Sequence, residues 1–324
     1  MYWLRKVKRY TRKSQGRRMD IIENDLLTVA FNRNGAEVCS IKAKATGREY
    51  IFEGIPQFWS KTSPILFPIV GCVKNGKYTY NGNEYEMNIH GFANYQDFEV
   101  CESKKEYIEF ALESAGRFKK LYPFEFKLIL TYRLVQNQLI VGYKVINLSK
   151  EDMYFQIGGH TAFKCPVNEN EARSSNYLMF RGIKRLNCSR IDMSCGLLKK
   201  EHENILFEDS EKYPEDGFLR ITDDLFDKDA LIGENNQTNE ILLADANKKP
   251  YLSVKFDAPL FGIWSPKDRI KPDNKIAPFV CIEPWYGRCD KVDFEGDLSE
   301  REWINKIGTN EQFCREYIIK IFLD

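Results

Sequence analysis

The chain has 324 residues, with 48 Lys+Arg against 47 Asp+Glu and a net charge of +1, so no overall field is available to gather nucleic acid or an anionic membrane. With 43% hydrophobic and 14% aromatic residues, including 22 Phe and 17 Tyr, it has the material for a broad aromatic core in one large all-β domain. No apolar stretch is long enough to span a bilayer, no apolar signal segment follows the basic start, and the nine Cys lack C-x-x-C spacing. That combination points to reduced thiols in a cytoplasmic protein, a monomer or homodimer, whose partner is a small molecule of little charge.

Residues 1–18 carry eight Lys or Arg and no acid, a self-repelling run expected to be a disordered extension ahead of a single domain spanning 19–324. From Met19 onward the dominant signal has period two. Leu27, Val29 and Phe31 alternate before Asn34-Gly35, and Tyr78 and Tyr80 alternate before Asn81-Gly82. Ile108, Phe110 and Leu112 form a third run. Phe124, Phe126, Leu128, Leu130, Tyr132 and Leu134 then share one face, and after Asn137-Gln138 the alternation resumes at Leu139, Val141, Tyr143 and Val145, which predicts a long hairpin. The polar stretch from about 166 to 220 reads as long loops with short strands. Leu252, Val254 and Phe256 predict another strand, and Tyr317, Ile319 and Ile321 the last. A weak helical stripe spans 299–307. Strands without βαβ alternation predict stacked antiparallel sheets.

Three His occur in the chain, so each can be weighed. His202, among charges in KKEHENI, reads as a solvated surface residue. His90, in NIHGFAN, and His160, in QIGGHTAF, follow strand-like segments and adjoin glycines, where the alternative is a structural imidazole. Glu283 interrupts the apolar run Phe279–Ile282 and precedes Pro284 and Trp285. Burial there would raise its pKa toward the range of a general base, whereas the alternative is a structural pairing with Arg288. Trp59, Trp264, Trp285 and Tyr286 offer faces on which sugar C–H surfaces stack, though such rings also fill cores.

Together these segments resemble the aldose 1-epimerase (galactose mutarotase-like) superfamily, and within it the LacX-like branch. The resemblance runs from about Met19 to the C-terminus and rests on FWSKTSPILFPIVG (58–71), HGFAN (90–94), IGGHTAF (157–163), DALI (229–232), FGIWSP (261–266) and APFVCIEPWYG (277–287), in the family's order. It implies a large twisted β-supersandwich, a catalytic base at Glu283, a general acid at His160, a sugar-contacting imidazole at His90 and a hydroxyl-binding carboxylate at Asp229. The implied reaction is the interconversion of the α and β anomers of a monosaccharide, which needs neither metal nor nucleotide. Relatives ordinarily carry Arg after VG and after HGFA, where this sequence has Cys72 and Asn94. Both changes remove a cation able to grip a phosphate bidentately, and Lys74 replaces it only in part, so a neutral sugar is the expected substrate.

Three rival readings fit the same residues. A carbohydrate-binding protein without turnover would use the same scaffold. A glycoside hydrolase would need two carboxylates, for which only Glu283 and Asp229 are on offer. A metal centre from His90, His160 and Glu283 has suitable donors but no close ligand spacing.

Overall fold

Alternating apolar and polar residues bury one face of Phe126–Val135 and of Gln138–Asn147, and the two strands pair from Val135↔Gln138 to Asn147↔Phe126. A two-residue turn joins them, with Gln136 at φ 53°. Asn81 and Gly82, both at positive φ, make the same kind of link between Lys77–Tyr80 and Asn83–Glu86. The computed structural model describes residues 19–168, 170–268 and 276–323; the basic segment 1–18 lies outside the described residues.

Two large antiparallel sheets dominate. The first, nine-stranded, runs in the order Gly217–Arg220, Tyr177–Phe180, Glu240–Ala244, Pro250–Phe256, Gln312–Ile321, Gln138–Asn147, Phe126–Val135, Tyr107–Glu113 and Glu99–Lys104. The second, eight-stranded, runs from Leu197–Leu206 through Arg185–Asp192, Leu231–Gly233, Leu260–Trp264 and Phe279–Tyr286 to Ile157–Gly159 and Ile65–Leu66, with Thr161–Lys164 also pairing Phe279–Tyr286. A smaller three-stranded sheet places Phe31 at 5.7 Å from Phe110 and 4.7 Å from Tyr132. The expected all-β supersandwich is therefore the observed fold.

Period two divides the strand Phe279–Tyr286 between two surroundings. Val280 and Ile282 join the main core with Phe163, Ile263, Leu130, Tyr132 and Val141, each contributing about 1.5–3 kcal/mol by burial. Residues 279, 281, 283 and 285 face the other way, where Cys281 packs with Phe52, Ala162 and Phe279, and Trp285 with Leu66, Ala230, Ile232 and Leu260.

Two expectations need correction. The stripe at 299–307 is a 3-10 turn, Leu298–Glu300, followed by a strand, Asn305–Ile307, and no α-helix occurs among the described residues. Asp297 caps that turn through Ser299, and Leu298 and Ile307 bury from different elements rather than from one helical face. The stretch 166–220 contains the long strand pair Arg185–Asp192 and Leu197–Leu206 instead of mostly loop. Leu197–Leu206 lies at the sheet edge, where six successive side chains from Lys199 to Asn204 are mostly exposed, and an edge strand facing solvent shows no apolar alternation.

Candidate functional site

His160 sits between Ile157–Gly159 and Thr161–Lys164, and both segments pair with Phe279–Tyr286 in one register. Gly158 faces Trp285 and Thr161 faces Ile282, so His160 stands directly across from Glu283. Directly opposed residues on one face bring their side chains together. The neighbouring Pro284 has no N–H, so the ladder lacks a donor there; the His160 amide points to the other side, as those of Ala162 and Lys164 do, and donates to the Pro64 carbonyl at 3.2 Å.

The His160 Nε2 lies 3.3 Å from Glu283 Oε2, with Glu283 1% and His160 7% exposed. Neither Glu283 Oε2 nor His160 Nδ1 has a hydrogen-bond partner among the described residues. Burial pushes the Glu283 carboxyl well above its ordinary pKa; the adjacent Trp285 indole N–H offsets part of the rise, and the negative charge of Asp229 adds to it. Burial, with the neighbouring His90, pushes His160 well below the ordinary imidazole range. Each group alone is thus driven toward its uncharged form.

Aromatic rings wall the pair. Trp59 stacks on His160 at 4.7 Å, and Trp264 meets it edge-on at 5.7 Å. Trp285 lies flat across two glycines of adjacent strands. A Cβ at Gly158 would come within 2.7 Å of its ring, and one at Gly262 within 2.4 Å, so the ring position requires glycine at both. The His90 ring stands perpendicular to His160 at 5.4 Å. Its Nδ1 accepts a hydrogen bond from the Gly71 amide at 3.1 Å, which leaves the proton of the neutral ring on Nε2, and burial lowers its pKa to about 4.

The other sequence-derived candidates lie around this centre in different ways. Asp229 is half-buried at φ 65°; its Oδ1 accepts from the Ala230 amide at 2.7 Å, and its charge is felt by both Glu283 and Cys72. Asn94 is buried, and its carbonyl accepts from the Lys61 ammonium at 2.7 Å, a cation that the sequence did not single out. Lys74 turns its ammonium to Glu295 at 2.5 Å and the Phe294 carbonyl at 3.3 Å. Cys72 is buried near Cys195 and Cys289, with its thiol pushed up to about 11. His202 is exposed, as expected, 3.1 Å from the Ser189 hydroxyl.

The alternative pairing of Glu283 with Arg288 does not form. Arg288 pairs with Glu234 at 2.9 Å and with Glu302, and Trp303 donates to the same Glu234 at 3.0 Å. The metal alternative also changes membership. Cys281, which sequence reasoning passed over, replaces His90: its sulfur and the ligand atoms of His160 and Glu283 all lie within 4.8 Å of one another. Its position two residues before Glu283, hence on the same strand face, was the available signal.

A β-sandwich with an acid and an imidazole facing each other across neighbouring strands, amid tryptophans, is of the galactose mutarotase-like class. The chain belongs to the aldose 1-epimerase family, whose model matches residues 19–299. It is 26% identical over 307 residues to the plasmid-encoded Protein LacX of Lactococcus lactis, covering 93% of this chain and 98% of the relative. Among solved structures, a galactose mutarotase related enzyme from Lactobacillus acidophilus is 33% identical, with a TM-score of 0.84 and coverage of 94% and 98%. A galactose mutarotase-like protein from Lactobacillus casei is 24% identical, with a TM-score of 0.79 and coverage of 94% and 100%. No helix of the described residues is long and apolar enough to cross a membrane.

Proposed function

We propose that the protein is an aldose 1-epimerase acting on a neutral aldohexose, with residues 19–324 working as one domain and Glu283 and His160 as its acid–base pair. The observation that carries the reading is the 3.3 Å approach of two buried, opposed groups, one carboxyl and one imidazole. Opening a cyclic hemiacetal removes a proton from O1 and delivers one to O5. Glu283 as carboxylate takes the O1 proton, the protonated His160 supplies O5, and the C1–O5 electron pair leaves with O5 while C1=O1 forms. Rotation about C1–C2 and reclosure with the roles reversed give the other anomer.

The pair needs one proton in total throughout. With the proton on Glu283 and His160 neutral, the pair is uncharged, the form that burial favours, and this is also the state that must meet the open aldehyde. Moving that proton to His160 gives the state that opens the ring. Sugar hydroxyls that hydrogen-bond to the carboxylate favour that second state when substrate is bound, and the buried Trp285 N–H beside it, unpartnered among the described residues, adds to the effect. The Nε2–H of His90 serves as a donor to O5 or an adjacent hydroxyl and holds the ring in place. Trp264 and Trp285 offer stacking faces, Asp229 a hydroxyl acceptor and Asn94 a neutral polar contact.

Support for a neutral substrate comes from how most of the cations are paired. Arg288 is paired with Glu234 and Glu302, Arg301 with Asp290 at 2.6 Å and Lys74 with Glu295, whereas Lys61, on the Asn94 carbonyl, keeps its positive charge. Cys72 and Asn94 add no charge. The deciding experiment is polarimetry on freshly dissolved α-anomers of neutral and 6-phosphorylated hexoses. Faster anomerisation of a neutral hexose is expected. Sugar binding by calorimetry without acceleration would leave a carbohydrate-binding protein, and release of reducing ends from an oligosaccharide a hydrolase.

A further inference from the structure

Cys281 has no part in the proton transfers above, yet its sulfur lies within 4.8 Å of the ligand atoms of both His160 and Glu283. All three side chains are buried. The three residues offer sulfur, nitrogen and oxygen donors, the set that zinc favours. Two nitrogen or oxygen ligands of a tetrahedral zinc, each at about 2.0–2.1 Å, stand roughly 3.3 Å apart. That is the separation between His160 Nε2 and Glu283 Oε2. The same Oε2 has no hydrogen-bond partner among the described residues, so a lone pair there is uncommitted in a buried site.

We propose that His160, Cys281 and Glu283 form a latent zinc site whose occupation switches off the acid–base pair. Charge favours it. A dication bound by one thiolate, one carboxylate and a neutral imidazole has no net charge, and a buried site penalises any other balance. The thiol and carboxyl protons are released to solvent as the metal binds, and the fourth position falls to water or a sugar hydroxyl. With its lone pairs on zinc, Glu283 cannot accept the O1 proton, and His160 cannot carry one to O5. Zinc here is an inhibitor, not a participant in the reaction, so binding can be read independently of the proposed activity.

The test uses metal-free full-length protein titrated with Co²⁺, followed by displacement with Zn²⁺. The expected result is one equivalent of tetrahedral cobalt with a thiolate-to-cobalt charge-transfer band, bleached by zinc, and loss of mutarotation as zinc is added. Cys281→Ser is expected to lose the band, to keep its basal mutarotation and near-UV circular dichroism, and to weaken zinc inhibition by more than about 10²-fold, the upper range that even outer-sphere partners reach. Octahedral cobalt alone in the wild-type protein would overturn the proposal. So would an undiminished charge-transfer band in Cys281→Ser, which would assign the metal to another thiol such as Cys72 or Cys289. Should neither protein accelerate mutarotation, the cobalt spectrum alone still decides the site, and only the functional reading fails.

Discussion

Replacing Glu283 by Gln separates chemistry from structure at this site. The amide keeps the shape of the side chain and its place opposite His160, but it cannot accept the O1 proton. A positioned general base is worth about 10²–10⁴ in rate, or roughly 2.7–5.4 kcal/mol of barrier at about 1.36 kcal/mol per decade. Glu283 is 1% exposed, so solvent or buffer cannot readily take over its task, and the loss is expected in the upper half of that range. Polarimetry or exchange NMR on fresh α-galactose measures it.

Stability should move in the opposite sense. The folded-state pKa of Glu283 lies well above its ordinary value near 4.5 because burial disfavours the carboxylate. Above that ordinary value the unfolded chain has lost this proton while the folded chain keeps it. Wild-type stability therefore falls as pH rises through this window, by up to about 1.36 kcal/mol per pH unit from this group. Gln has no proton to lose, so Glu283→Gln should gain stability relative to wild type as pH rises above about 4.5, measured by urea denaturation. An unchanged rate would remove Glu283 from the mechanism. A lost rate with stability lowered equally at every pH would make its role structural.

Other expectations can be checked in the same assays. His90, lowered to about 4, and His160, lowered by burial, stay neutral in the fold while the unfolded chain takes up protons below about 6.5; stability should fall as pH drops from 6.5 toward 4, and His90→Gln should flatten the curve. Superimposable wild-type curves across that window would refute the burial argument. Gly262→Ala would drive a Cβ to 2.4 Å from the Trp285 ring, costing about 1–3 kcal/mol in unfolding free energy and slowing mutarotation together, whereas a silent variant would show that the ring position is not confined. Arg288→Met would leave the buried Glu234 without its cation at an expected cost of about 3–5 kcal/mol, measurable by denaturant titration; a loss below about 1 kcal/mol would show that Trp303 and Ser189 suffice.

The strands that the sequence made legible are those with one face in the main core. Phe126–Val135, Gln138–Asn147 and Gln312–Ile321 alternate because every second residue meets the opposite sheet. Leu197–Leu206 was hidden because an exposed edge strand needs no apolar periodicity, and Phe279–Tyr286 shows none because both its faces are buried. At the centre, Glu283, His160, Trp264 and Trp285 could be named from local motifs, yet bringing His160 to the other three depends on a strand pairing across more than a hundred residues. Cys281 escaped notice because a buried cysteine among aliphatics looks like core. Lys61 escaped because its role depends on the carbonyl of Asn94, which sequence distance conceals.

The strand register also explains why this pair sits where it does. On a loop, a carboxyl and an imidazole would hold a 3.3 Å separation only through further contacts; across two paired strands the backbone ladder sets it. A slip of one residue would turn Glu283 into the main core and bring Ile282 onto the site face, so the same hydrophobic pattern that stabilises the sandwich enforces the chemistry. Pro284 then removes one ladder donor beside the pair, and the glycines at 158 and 262 let the Trp285 ring lie flat next to it. The motif IEPW is thus a compact instruction: an apolar residue for the core, an acid for the site, a missing donor in the ladder, and a ring to close the floor. Moving the acid to position 282 or 284 would keep the composition and lose the site, because no other register places a carboxyl opposite His160.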